Sequence, residues 1–148
     1  MSLETIISDA IKTAMREKDR VALDSLRAVK AQILLLQTEA RGAEVTAEQE
    51  IAILQRMIKQ RKDSYEQFTA QGRTDLAEVE EAQSKVIEKF LPKQLSAEEL
   101  ESEIKKIISE TGAESLKDLG KVMSVASKAL AGKSDGKSIS EMVKKLLS

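Results

Sequence analysis

A single proline among 148 residues is the feature that most constrains this chain. Pro92 has no backbone N–H and disfavours helical geometry at the residue before it, so a helix arriving through Val86, Ile87 and Phe90 has to stop at Leu91. A restart signal follows at once. Ser96-Ala97-Glu98-Glu99 has the form of a capping box, in which the serine oxygen accepts the N–H three residues on and the glutamate reaches back to the serine N–H. The remainder is free of proline and carries apolar residues at spacings of three and four. No window shows the alternation of Val, Thr and aromatic residues that marks a strand. The expected fold class is therefore all-α: an N-terminal lobe of about four helices over residues 1–91, a hinge at 92–96 and a small three-helix lobe over 97–148.

Local punctuation sets the expected elements. A first helix runs from Leu3 to about Lys18 with Ser2 as cap and Ile6, Ile7, Ala10, Ile11 and Ala14 inward. Asp19 ends it and caps a second, Arg20 to about Arg41, with Leu26, Val29, Ile33 and Leu36 along one stripe and Gly42 as a left-handed stop. Thr46-Ala47-Glu48-Gln49 is another capping box and opens the longest helix, about Ala47 to Gln71, closed by Gly72. Along it Ile51, Leu54, Ile58, Arg61, Tyr65 and Phe68 form a heptad seam, and the arginine in that seam calls for a carboxylate partner. Thr74 is expected to cap a fourth helix, about Asp75 to Phe90, that completes a long hairpin. Leu76, Val79, Val86 and Ile87 face inward on it, and Glu81 with Lys85 forms an i,i+4 pair. Past the hinge come helices over about Ala97 to Glu110, Leu116 to Ala131 and Lys137 to Leu147, stopped by Gly112 and Gly132 and started by Ser115 with Asp118 and by Asp135 with Gly136.

Composition then limits the chemistry such a scaffold can perform. There is no Cys and no His, which removes disulfides, thiolate nucleophiles, the usual zinc ligands and the general base poised near neutral pH. With one Tyr, two Phe and no Trp, the core falls to Leu, Ile, Val, Met and Ala. Glu78, Glu80, Glu81 and Glu88 read as the polar side of an amphipathic helix rather than as a metal or acid–base site. Ser124 and Lys128 lie one turn apart but have no strand, elbow or glycine-rich oxyanion loop around them. No catalytic residue, cofactor or metal is expected. No apolar run approaches the roughly 18 residues that span a bilayer, and Met1-Ser2-Leu3-Glu4 does not read as a signal peptide, so a cytoplasmic protein without a membrane role is expected.

Charge is uneven along a chain whose net charge is only −1. All seven arginines precede Pro92, whereas residues 116–148 carry seven lysines against Asp118, Asp135 and Glu141, a local charge of +4. At about 100° per residue, Lys117, Lys121 and Lys128 fall within about 40° of one another on the sixth helix, and Lys144 and Lys145 lie opposite Met142, Val143 and Leu146 on the seventh. Such a face is ordinarily just solvated, but it can also attract phosphates by counterion release. Lysine is a point charge suited to tracking phosphates rather than reading bases. The loop Gly132-Lys133-Ser134-Asp135-Gly136-Lys137 is not a Walker loop, because Ser127 stands where the first glycine belongs. Free N–H groups at the start of the seventh helix could still hold one phosphate oxygen.

Five ordered blocks are similar to those of the GatB/YqeY family: Arg61 to Phe68, Gly72 to Leu76, Phe90 to Leu95, Lys117 to Met123 and Gly132 to Lys137. Gln83 stands where a glutamate would be expected, and Ser134 where alanine is usual. The resemblance implies a two-lobed helical fold and kinship with the tail of the B subunit of the tRNA-dependent amidotransferase. That enzyme is a carbon–nitrogen ligase with glutamine as amido-N-donor, and its tail contacts the tRNA elbow while its chemistry resides elsewhere.

The expected function is accordingly a non-catalytic module that binds tRNA, or an amidotransferase or other aminoacyl-tRNA-related protein. Lys117, Lys121, Lys133 and Lys137 are the expected phosphate contacts, and Gly132 and Gly136 let the backbone come close. The rival reading is a protein-interaction module that docks helix-to-helix with no RNA contact. Scarce aromatics favour the rival, since RNA recognition commonly stacks bases on rings. An exposed Tyr65 or Phe68 beside an apolar strip would support it.

Overall fold

Helix starts in this protein are made by side-chain oxygens placed one residue ahead of an apolar stripe. Ser2 accepts from the Thr5 N–H at 3.2 Å to open α1 (Leu3–Glu17), and Asp19 accepts from Ala22 at 3.1 Å to open α2 (Arg20–Glu39). Both capping boxes form in full. Thr46 and Gln49 exchange bonds of 3.2 and 2.9 Å ahead of α3 (Ala47–Ala70), and Ser96 and Glu99 exchange bonds of 3.1 and 3.3 Å ahead of α5 (Ala97–Thr111). Asp135 accepts from Ser138 at 2.8 Å to open α7 (Gly136–Leu147). The computed structural model describes residues 2–148. Among them are seven α-helices, one 3-10 turn and no strand, so the all-α class holds.

Two starts differ from expectation. Thr74 does not cap α4 (Thr74–Glu88). It is the first helical residue, Arg73 stands before it without a side-chain cap, and the Arg73 guanidinium instead forks onto Asp75 at 3.1 and 3.2 Å. The sixth helix is also shorter than its pattern suggests. Leu116–Asp118 form a 3-10 turn, and α6 spans only Leu119–Ala129. The Ser115 hydroxyl accepts from Lys117, and the Asp118 carboxylate returns to the Glu114 N–H at 3.0 Å. These short-range bonds tighten the entry, a common use of the 3-10 form at helix ends.

Contacts divide the chain into two units, one ending at Leu91 and one starting at Pro92. The first is built on α1 to α4. Leu3, Ile7, Ala14, Leu26, Val29, Ile33, Ile53, Leu54, Met57, Ile58 and Ile87 form its core, against which Phe90 and Leu91 pack. Ser25 is fully buried on α2 and turns its hydroxyl back to the Val21 carbonyl, which satisfies it without a partner helix. At about 1.5 Å per residue the 24-residue α3 is roughly 36 Å long, and it pairs with α4 across the turn at Gly72. Its buried face runs through Ile53, Leu54, Met57 and Ile58, and none of its residues is buried beyond Arg61. The expected seam is therefore correct only in its middle, at Leu54 and Ile58, and Ile51 is half-buried.

On α4 the inward residues are Ala77, Ser84 and Ile87, while Leu76 and Val79, expected inside, are exposed. The physical reason is local. Near the turn the hairpin residues lie outside the core cluster of this unit, and small side chains at Ala77 and Ser84 let α4 approach α3 closely. Rotation of that face leaves Leu76 and Val79 in solvent. Ile6 on α1 is likewise 38% exposed rather than inward.

The second unit packs α5, α6 and α7 on Leu100, Ile104, Ile107, Val122, Ala126, Leu130, Ile139, Val143 and Leu147, with Leu95 set against the same cluster. Ile104, Val122, Ala126 and Val143 are fully buried, so this small lobe has a core of its own.

Candidate functional site

The second unit is closed by a strap that local patterns do not reveal. Leu95 donates its N–H to the Lys133 carbonyl at 2.8 Å, and Gln94 donates through Nε2 to the Gly132 carbonyl at 2.6 Å and to the Pro92 carbonyl at 3.0 Å. Two of the five sequence blocks, the one around Pro92 and the one around Gly132, thus meet in space. Gly132 has φ of +77°, which suits glycine, and it is buried. At Gly132, where a close ligand approach is expected, the residue is buried and its positive φ shapes the turn that carries Lys133.

The four lysines singled out by sequence are all exposed. Lys117 lies in the 3-10 turn, Lys121 on the first turn of α6, Lys133 in the strapped loop and Lys137 on the first turn of α7. Among the described residues none of the four has an ion pair within 4 Å, in contrast to Lys105 on α5, which pairs with Glu101 at 3.4 Å. Because Lys117 is outside α6, the shared angular phase expected for Lys117, Lys121 and Lys128 holds for the last two alone. Asp118 lies beneath this entry. Its carboxyl is held below the ordinary carboxylate range, first by the Glu114 N–H, then by the Ser115 N–H and, more weakly, by the charge of Lys121.

Gly136, expected as a point of close approach, is joined on this surface by Gly120, which local pattern does not single out. Both are exposed, neither has positive φ, and a methyl group added at either would meet nothing within 4 Å. Nothing inside the protein asks for glycine at these two helix starts, although glycine within a helix costs roughly 0.5–1 kcal/mol relative to alanine. The signal that would have drawn attention to Gly120 is a glycine in the first turn of a helix beside Lys121.

Arg61 is half-buried on α3, and its partners correct the sequence expectation. Nε donates to the Gln83 amide oxygen at 3.2 Å and a terminal nitrogen donates to the Met57 carbonyl at 3.3 Å, and among the described residues no carboxylate lies within 4 Å of it. Glu81 and Glu88 are each paired with a lysine, Lys85 and Lys62 respectively, and Ser124 and Lys128 are exposed on α6. Among the described residues no group of three or more acidic side chains comes together as a metal site, and no helix is long and apolar enough to cross a membrane.

Comparison with known proteins gives a consistent picture. A family profile described as "Yqey-like protein" matches residues 4–147. The curated relative "Altered inheritance of mitochondria protein 41, mitochondrial" of Meyerozyma guilliermondii is 36% identical over 95 residues, 61% of this chain and 46% of that protein. Proteins of the same name from Pyrenophora tritici-repentis and Clavispora lusitaniae are each 33% identical over 81 residues, covering 54% and 55% of this chain and 44% and 46% of theirs. The chain thus spans about half the length of these relatives.

Proposed function

The chain belongs to the YqeY-like family, and on that premise we propose that it is a non-catalytic helical module whose C-terminal lobe binds tRNA through phosphate contacts from Lys117, Lys121, Lys133 and Lys137. In this reading residues 1–91 form an arm that docks on a tRNA-handling enzyme such as an amidotransferase. The cytoplasm is its proposed compartment, and the mitochondrial names belong to the relatives that bear them. The observation that carries the proposal is four exposed lysines with no ion pair among the described residues. A lysine already paired has to break that pair to take a phosphate, whereas a solvated one releases only counterions from the RNA. Gly120 and Gly136 support it, because backbone without a side chain at two helix starts lets a phosphate approach the N–H groups there.

Fluorescence anisotropy with a labelled, unacylated tRNA tests this. With about four phosphates neutralised, log K falls against log salt with a slope near −3 to −4. A flat salt dependence, or unchanged binding when all four lysines become alanine, rules the proposal out.

A second reading has its own observation. Tyr65 is 37% exposed, Leu76 and Val79 are exposed, and Phe68 is half-buried, all near the tip of the α3–α4 hairpin. That is the apolar strip a helix-docking module would present, and Tyr65→Ala with Val79→Ser would abolish such docking without altering RNA affinity.

A further inference from the structure

Side chains of α3 and α4 line a cavity of about 240 Å³, formed by Arg61, Lys62, Tyr65, Glu81, Ser84, Lys85 and Glu88. Lys62 pairs with Glu88 at 3.4 Å and Lys85 with Glu81 at 3.5 Å, so four of the lining charges balance one another. Arg61 is left over. A guanidinium carries five N–H groups; here one serves Gln83 and one serves Met57, and the other three have no partner among the described residues. Ser84 adds an independent signal. It is only 4% exposed, it lines the same cavity, and its hydroxyl has no hydrogen-bond partner. Buried hydroxyls are almost always bonded, so an orphan beside an uncompensated guanidinium marks a place where a third group is missing.

We propose that this cavity binds a single carboxylate group, held by the free N–H groups of Arg61, with the buried Ser84 hydroxyl turning toward it to donate. The net lining charge of +1 matches a monoanion. A phosphate dianion would bring a second negative charge toward Glu81 and Glu88 with nothing to balance it. Planar carboxylates also suit the arginine fork. The volume lies below the roughly 300–1,000 Å³ of drug-sized sites, which suits a small free acid or the carboxyl end of a peptide. The site shares no residue with the lysine surface and is independent of RNA binding.

The test is an NMR titration of the full chain with sodium acetate, N-acetylglycine and, separately, inorganic phosphate. Saturable shifts are expected at the Arg61 Nε–H and at backbone amides of residues 61–65 and 81–88, with Kd of order 1 mM for so few ligand atoms. Phosphate at pH 7.5 should bind at least about tenfold more weakly, by the charge argument above. Tighter binding of N-acetylglycine than of acetate supports a chain end as the ligand, and equal binding supports a free acid. Gln83→Glu is the decisive variant. It offers Arg61 an internal carboxylate and keeps the helix, so it should retain or raise Tm while weakening N-acetylglycine about tenfold or more. Ser84→Ala should raise Tm of the unliganded protein and weaken binding, because it removes an orphan hydroxyl. Absence of a saturable shift with both carboxylates, phosphate binding as tightly as they do, or unchanged binding by Gln83→Glu each overturns the proposal.

Discussion

Replacing Gln94 by alanine removes its two donations, keeps the Leu95 bond to Lys133, and leaves the Gly132 carbonyl, in a buried turn, without its side-chain donor. The bond to the Pro92 carbonyl is exposed, and water takes its place at little cost. Loss at Gly132 is the larger effect. A buried acceptor left unsatisfied costs about 1–3 kcal/mol, and because this bond is only partly buried we take about 1.5. At about 1.4 kcal/mol per factor of ten, hydrogen exchange at Ile104, Val122 and Val143 should accelerate roughly tenfold, while Ile7, Val29 and Leu54 keep their protection. Gln94→Glu sharpens the test. Its carboxylate has no donor and faces two carbonyl oxygens, so the carboxyl pKa in the folded state lies above the ordinary value near 4.3. The contribution of that carboxyl is then fully present below about pH 4, where the protonated group donates once, and is lost as pH rises through the raised pKa, so the variant falls further below the parent protein at pH 7 than at pH 4. Unchanged protection in the second unit, or equal loss in both units, would refute the reasoning.

Lys18 ends α1 with φ of 56°, so Lys18→Gly should relieve left-handed strain and raise urea stability of the first unit by about 0.5–1 kcal/mol after the entropic cost of glycine. Glu99 and Asp118 both have carboxyl pKa values lowered, chiefly by the backbone N–H groups of Ser96 and Glu114 respectively. Their contribution is complete above the ordinary carboxylate values and fades as pH falls through the lowered ones, so Glu99→Gln with Asp118→Asn should flatten the urea midpoint between about pH 2 and 5. Gly120→Ala fits the open backbone there and should stabilise α6 by about 0.5–1 kcal/mol while weakening tRNA binding in the anisotropy assay. Ile104→Ala opens a cavity at a fully buried position, costs about 2–5 kcal/mol, and should unfold the second unit in NMR spectra that still show the first folded.

What could be read in advance was whatever is decided within four residues. Ser2, Asp19, Thr46, Ser96 and Asp135 cap where they do because a short oxygen-bearing side chain precedes an apolar stripe, and the sequence contains both. The family likeness was equally legible, being carried by ordered blocks, and the profile match spans almost the whole chain. Which face of a helix is buried was less so. Leu76 and Val79 look inward by apolarity, yet Ala77 and Ser84 win because the partner helix favours a close approach over a large contact. Arg61 lacks its carboxylate for a related reason: Gln83 occupies the place across the hairpin, and spacing along one helix says nothing about the other. The Gln94–Gly132 contact joins residues 38 apart, beyond any local pattern.

That contact also determines where the molecule can be divided. The first helix after the proline begins at Ala97, and a boundary drawn from helices alone would begin the excised lobe at Ser96 with its capping box intact. Such a piece would keep all three helices and still lack Gln94 and Leu95, so the turn between α6 and α7 would lose its outer wall and the hydrophobic cluster one of its members. Beginning four residues earlier, at Pro92, retains every bond of the strap. Protein dissection and domain grafting should therefore treat Pro92–Leu95 as the first piece of the C-terminal lobe rather than as spare linker.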